Sequence, residues 1–89
     1  MARVVISLKI FPADVGINLE DLKEKIKNAL PNYASVYGFE EEPIAFGLVA
    51  LIAHIILPED LAGGLDEIES RIKGIADVSD IQTIMVRRA

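Results

Sequence analysis

The stretch IAFGLVALIAHIIL, from Ile44 to Leu57, carries no charge and a single polar side chain, His54. Read at alternate positions, Ile44, Phe46, Leu48, Ala50, Ile52 and Ile56 share one side, while Val49, Leu51, Ala53, Ile55 and Leu57 share the other. A strand that is apolar on both faces belongs in the middle of a sheet. The run is too short for the roughly 20 apolar residues of a membrane helix, and Pro43 and Pro58 fence it. It is expected not to span a bilayer. Three glutamates, Glu40 to Glu42, stand immediately before it.

Working outward, Val4, Ile6, Leu8 and Ile10 alternate with Arg3, Ser7 and Lys9 up to Phe11, the two-residue period of a strand with one buried face. Pro12 and Gly16 break it. Asn18 then caps a helix whose Leu19, Leu22, Ile26, Ala29 and Leu30 form one stripe, closed by Pro31. Glu20 and Asp21 suit its first turn, and Asp21 with Lys25 makes an i,i+4 pair. Tyr33 to Glu41 reads as an edge strand, irregular at Gly38, with Tyr33, Tyr37 and Phe39 on one side. Beyond Pro58 a Gly63-Gly64 turn leads into Leu65, Ile68, Ile72 and Ile75 at helical spacing, with Gly74 as the stop. Val78 to Arg88 is rich in β-branched residues and closes the chain as a strand.

The order strand, helix, strand, strand, helix, strand predicts an α+β fold, a ferredoxin-like two-layer sandwich with a four-stranded antiparallel sheet and two helices on one face. The strands from Val4 and Ile44 are expected at its centre and the Tyr33 strand at an edge. The other face then has nothing to cover it, so the apolar Ile44 to Leu57 strand calls for a partner, a dimer mate or an exposed patch.

A chain of 89 residues, 52% hydrophobic and 26% charged, builds one core, so residues 1–89 are read as one domain. The absence of cysteine removes disulfides, thiol nucleophiles and Cys-based metal sites. The amino terminus lacks the pattern of a secretion signal, which suggests a cytoplasmic protein. A net charge of −5 argues against broad nucleic-acid binding and favours a protein partner.

No glycine-rich phosphate loop or nucleophile elbow is present, so the chain does not read as an enzyme, and no cofactor is implied. His54, alone in an apolar strand, is assigned no role. Glu40, Glu41 and Glu42 point alternately to opposite faces of an extended chain and do not converge on a metal; they read as a solvated edge or a rim for a basic partner. On pattern alone Phe46 is a core aromatic beside a bulge glycine, Gly47, and Arg87-Arg88 are solubilising charges at a terminus.

Two longer segments, EEPIAFGLVALIAHIILPED and GGLDEIESRIKGIADVSDIQTIMVRRA, give these residues a second reading. Together they resemble the archaeal elongation factor 1-beta family, related to the exchange domain of eukaryotic elongation factor 1B. The resemblance implies a ferredoxin-like guanine-nucleotide exchange factor that accelerates GDP release from elongation factor 1-alpha, meeting that GTPase in its GDP-bound and nucleotide-free forms. It places Phe46, with Pro43 and Gly47, in the family's Pro-x-x-Phe-Gly motif that touches the GTPase. It sets Arg87, or Arg88, where eukaryotic domains carry a terminal lysine aimed at the magnesium and phosphate region. The alternative is a small ferredoxin-like regulatory or ligand-binding module that dimerises through its open sheet face.

Overall fold

In the computed structural model, which describes residues 2–59 and 63–88, the alternating amino terminus forms β1, Arg3–Pro12. It is followed by α1, Leu19–Ala29, and β2, Ser35–Pro43. Then come β3, Val49–Pro58, α2, Gly64–Lys73, and β4, Val78–Arg88. Met1, 60–62 and Ala89 lie outside the described residues. The strands make one antiparallel sheet in the order β2-β3-β1-β4, so β3 and β1 are central, as their apolar patterns predict. The βαββαβ ferredoxin-like sandwich is therefore present.

The core lies between one sheet face and both helices. Ile6, Leu8 and Ile10 of β1 and Leu51, Ala53, Ile55 and Leu57 of β3 pack with Leu22 and Ile26 of α1 and Ile68 and Ile72 of α2. The helix stripes face inward because their apolar residues recur at helical spacing. Asn18 caps α1 by accepting the Asp21 N–H at 3.1 Å. Gly63, at φ 75°, takes the left-handed conformation that turns the chain into α2.

Local readings change in four places. Tyr33 lies before β2, where its hydroxyl donates to Glu67 of α2 at 2.6 Å. That bond holds the Glu67 carboxyl below its ordinary range, with Arg71 beside it, and raises the Tyr33 hydroxyl. A register shift between Val36 and Gly38 then sends Tyr37 and Phe39 to opposite faces instead of one. Phe39 packs towards the core, whereas Tyr37 is exposed and stacks on His54 of the other face. Lys25 bonds Asp77 at 2.5 Å, which raises its pKa, in place of the i,i+4 partner Asp21.

The fourth change concerns the opening stretch itself. β3 begins only at Val49, because Ala45–Gly47 forms a single 3₁₀ turn. Of the two apolar sides of this run, the one that carries Leu51 and Ile55 is buried under the helices. The open face is also less bare than its composition suggests. Val5, Ser7 and Ala50 on that side are buried, and Arg87 of one edge strand reaches across the two central strands to the Tyr37 hydroxyl at 3.5 Å. Long side chains from both edges thus lie over the middle of the sheet.

Candidate protein-docking site

Two segments singled out in the sequence become two separate surface features. The first is the turn that joins β2 to β3. The Ile44 N–H donates to the Leu48 carbonyl at 2.8 Å and the Leu48 N–H to the Ala45 carbonyl at 3.2 Å, closing a tight loop. Inside it Phe46 sits at φ 61°, ψ 33°, and Gly47 at φ 78°. Gly47 adopts this region freely, but for a phenylalanine the left-handed backbone costs about 1–2 kcal/mol. The side chain recovers nothing from the core, being 95% exposed. The expectation of a core aromatic beside a bulge glycine is thereby corrected: two successive positive φ angles carry the ring out of the sheet. Pro43, at the base of the turn, pairs with Val49 and is exposed, as is Gly47.

The acidic border beside this turn is spoken for within the chain. Glu42 bonds Lys9, Glu41 bonds Lys23 at 3.4 Å, and Glu40 bonds His54 at 2.6 Å. Lys23 also holds Glu20 at 2.8 Å, and its pKa is raised chiefly by that bond. The glutamates therefore bond to Lys9 of β1, Lys23 of α1 and the His54 imidazole of β3, and Glu40 and Glu41 remain solvated on the sheet edge.

The second feature is the end of β4. Arg87 pairs across the sheet with Val5 and leans over the open face, while Arg88 pairs with Val4 on the helix side and bonds Glu59 at 2.5 Å. Both arginines are exposed. They lie at the opposite end of the sheet from Phe46. Val5 is level with Ile56, seven residues beyond the start of β3 at Val49, so about 24 Å of strand separates the two features at ~3.4 Å per residue.

The position that sequence reading passed over is His54. Register sets it beside Ser7 on β1, whose hydroxyl lies 2.8 Å from Nδ1, while Nε2 faces Glu40 of β2. Since a carboxylate only accepts, Nε2 carries the proton, and Nδ1 is left to accept from the Ser7 hydroxyl when the ring is neutral. The order serine, imidazole, carboxylate is that of a hydrolase triad, yet Ser7 is 4% exposed in the middle of a central strand whose amides are engaged in the ladder. No substrate carbonyl reaches it. The trio satisfies polar groups at the sheet centre. Only the pairing of residues 47 apart reveals it; the hint in sequence is a single polar residue, His54, in the otherwise apolar β3.

Among the described residues no group of three His, Asp or Glu side chains is placed to hold a metal ion, and no helix is long and apolar enough to cross a membrane. The fold and its surface together define a class, an α+β sandwich that displays a bare aromatic on a strained turn at one end and two exposed arginines at the other. Comparison with known proteins gives that class a family. The profile described as "EF-1 guanine nucleotide exchange domain" matches residues 5–88. The Elongation factor 1-beta of Staphylothermus marinus is 43% identical over 88 residues, covering 99% of this chain and 98% of the relative. That of Sulfolobus acidocaldarius is 45% identical over 85 residues, 96% and 94% of the two chains. The solution structure of the C-terminal domain of the MgtC protein from Mycobacterium tuberculosis aligns with a TM-score of 0.60 at 10% identity, over 99% of this chain and 88% of that one, a likeness of fold alone. The chain belongs to the EF-1 guanine nucleotide exchange domain family. It is a guanine-nucleotide exchange factor for elongation factor 1-alpha in translation elongation.

Proposed function

We propose that residues 1–89 act as one exchange domain in the cytoplasm, docking directly on elongation factor 1-alpha through Phe46, Gly47 and Pro43 at one end and Arg87 and Arg88 at the other. The observation that carries the reading is the strained, 95% exposed Phe46, an aromatic with no use inside this chain. The separation of the two ends is compatible with one partner. A standard interface buries about 800 Å² on each side, equivalent to a disc roughly 30 Å across, which spans about 24 Å of strand.

No covalent step is required. A factor that binds the nucleotide-free GTPase more tightly than the GDP form weakens GDP binding by the same ratio. The aromatic supplies docking, and a guanidinium delivered to the GTPase's magnesium and phosphate region competes with the cation there, loosening the phosphates. In the free protein Arg88 is held by Glu59 and Arg87 by Tyr37, so either must exchange its internal partner on docking.

Stopped-flow release of a fluorescent GDP tests the assignment. Arg87→Ala and Arg88→Ala are each compared with the wild-type protein, with and without magnesium chelation. The arginine that acts on the phosphate site slows catalysed release at least about tenfold while melting is unchanged, since an exposed cation adds little to folding, and the deficit shrinks once magnesium is chelated. Undiminished release by the double variant removes the arginines from the mechanism.

A further inference from the structure

We propose that the docking tip is built from two connections: Val15, from the turn between β1 and α1, stands beside Phe46 and enters the same uncharged apolar recess on the GTPase. The inference rests on the docking reading above and adds to it a residue that the Phe-Gly motif does not contain. Val15 is 61% exposed and takes no part in the core. Its Cγ1 lies 4.0 Å from the point where a Cβ on Gly47 would stand, so the valine rests against the bare flank of the turn that carries Phe46.

Both supports are fixed. The turn at 44–48 is closed by its two backbone bonds, and the Val15 segment is tied down by the Ala13 N–H on the Asp77 carbonyl at 2.8 Å and by Ile17, which packs against the core. A β-branched side chain on such a turn has few rotamers to lose on binding. The surface is largely apolar as well, with one carboxylate at its border, the exposed Asp14, which accepts the Gly16 N–H at 3.5 Å. Val15, Pro43, Ala45, Phe46 and Gly47 are all exposed and uncharged. The nearby glutamates are matched by Lys9, Lys23 and His54. A phosphate or a nucleic-acid backbone finds no cation on this tip, whereas an apolar recess in a folded protein finds a convex knob with an exposed aromatic at its centre, which sheds its water on docking.

Calorimetric affinity for nucleotide-free elongation factor 1-alpha, taken per folded molecule, tests this with Val15→Ser, Phe46→Ala, the double variant and Val15→Glu. The expected losses are roughly three- to tenfold for Val15→Ser and more than about tenfold for Phe46→Ala, with the double variant losing less than the product of the two, because neighbours in one recess couple. Val15→Glu, which drives a carboxylate into that recess, loses binding altogether, with its melting temperature unchanged. If Val15→Ser or Val15→Glu binds within about twofold of wild type while Phe46→Ala does not, or if the single losses multiply, the shared recess is overturned and the docking reading stands. If Phe46→Ala also binds normally, that reading falls with it.

Discussion

Phe46 and Leu51 stand five residues apart in one uncharged run, and the fold treats them in opposite ways: Leu51 is wholly buried, Phe46 is 95% exposed. Hydropathy does not separate them. The difference is in the backbone. From Val49 onward the chain is extended, so alternate residues drop between the helices, whereas two consecutive positive φ angles at Phe46 and Gly47 reverse it before the strand starts. An apolar residue is buried by where its Cα–Cβ bond points, and the sign of φ decides that before any hydrophobic gain is available. The buried half of the run stabilises the sandwich; the exposed half carries a conformational cost that burial does not offset, which is what the proposed docking role would explain.

That contrast breaks if substitutions in the two halves behave alike. Leu51→Ala should cost about 2–5 kcal/mol in urea denaturation by opening a cavity under the helices, with exchange activity per folded molecule unchanged. A variant that melts normally but exchanges poorly would show that the buried half also serves docking. His54, three residues further along, is an intermediate case. His54→Ala removes the partner of a buried Ser7 hydroxyl and should cost about 1–3 kcal/mol, while adding Ser7→Ala should recover part of the loss, since no orphaned group is then left in the sheet. Strict additivity in that double-mutant cycle would mean that the trio does not act as a unit. The smallest change in stability comes from Phe46→Gly, and its sign is reversed: relief of the left-handed backbone should raise stability by about 1 kcal/mol, in part offset by the freer unfolded chain, while affinity for the GTPase falls. Loss of stability in this variant would return Phe46 to the core.

The element order was legible because each element repeats its own period: β1 at two, both helices at their stripes, β3 with apolar residues on both faces. The central places of β1 and β3 followed from the same patterns. What could not be read was local backbone geometry. Tyr33 looks like a strand residue by propensity, yet Pro31 two positions before it delays β2 to Ser35, and its hydroxyl finds α2 instead. Gly38 marked irregularity, but not that the register shift would divide Tyr37 from Phe39. Pro43 and Gly47 bracket the turn and were the signal that the apolar run is interrupted there. Phe46 and the two arginines were found as candidates through family likeness; their opposite positions on the sheet depend on strand register, as does the meeting of Ser7 with His54. Val15 lies in a turn with no periodicity at all, and only its neighbour's missing side chain points to it.

The two interrupted ladders carry a consequence for chain-to-chain growth. β2 and β4 are the outer strands, each with one backbone edge unmatched, and β4 exposes Ile84, Met85 and Val86 in succession. A flat edge of that kind is a template on which identical strands stack into cross-β fibrils. Here the pairing slips between Val36 and Gly38 on one side and between Ser7 and Leu8 on the other. A β-bulge sharpens the local twist, so a second copy arriving at either border meets a ribbon that curls away. The residue shifts that move Tyr37 onto the open face and set Arg87 over it thus also deny a 52% hydrophobic chain the straight margins on which fibrils nucleate.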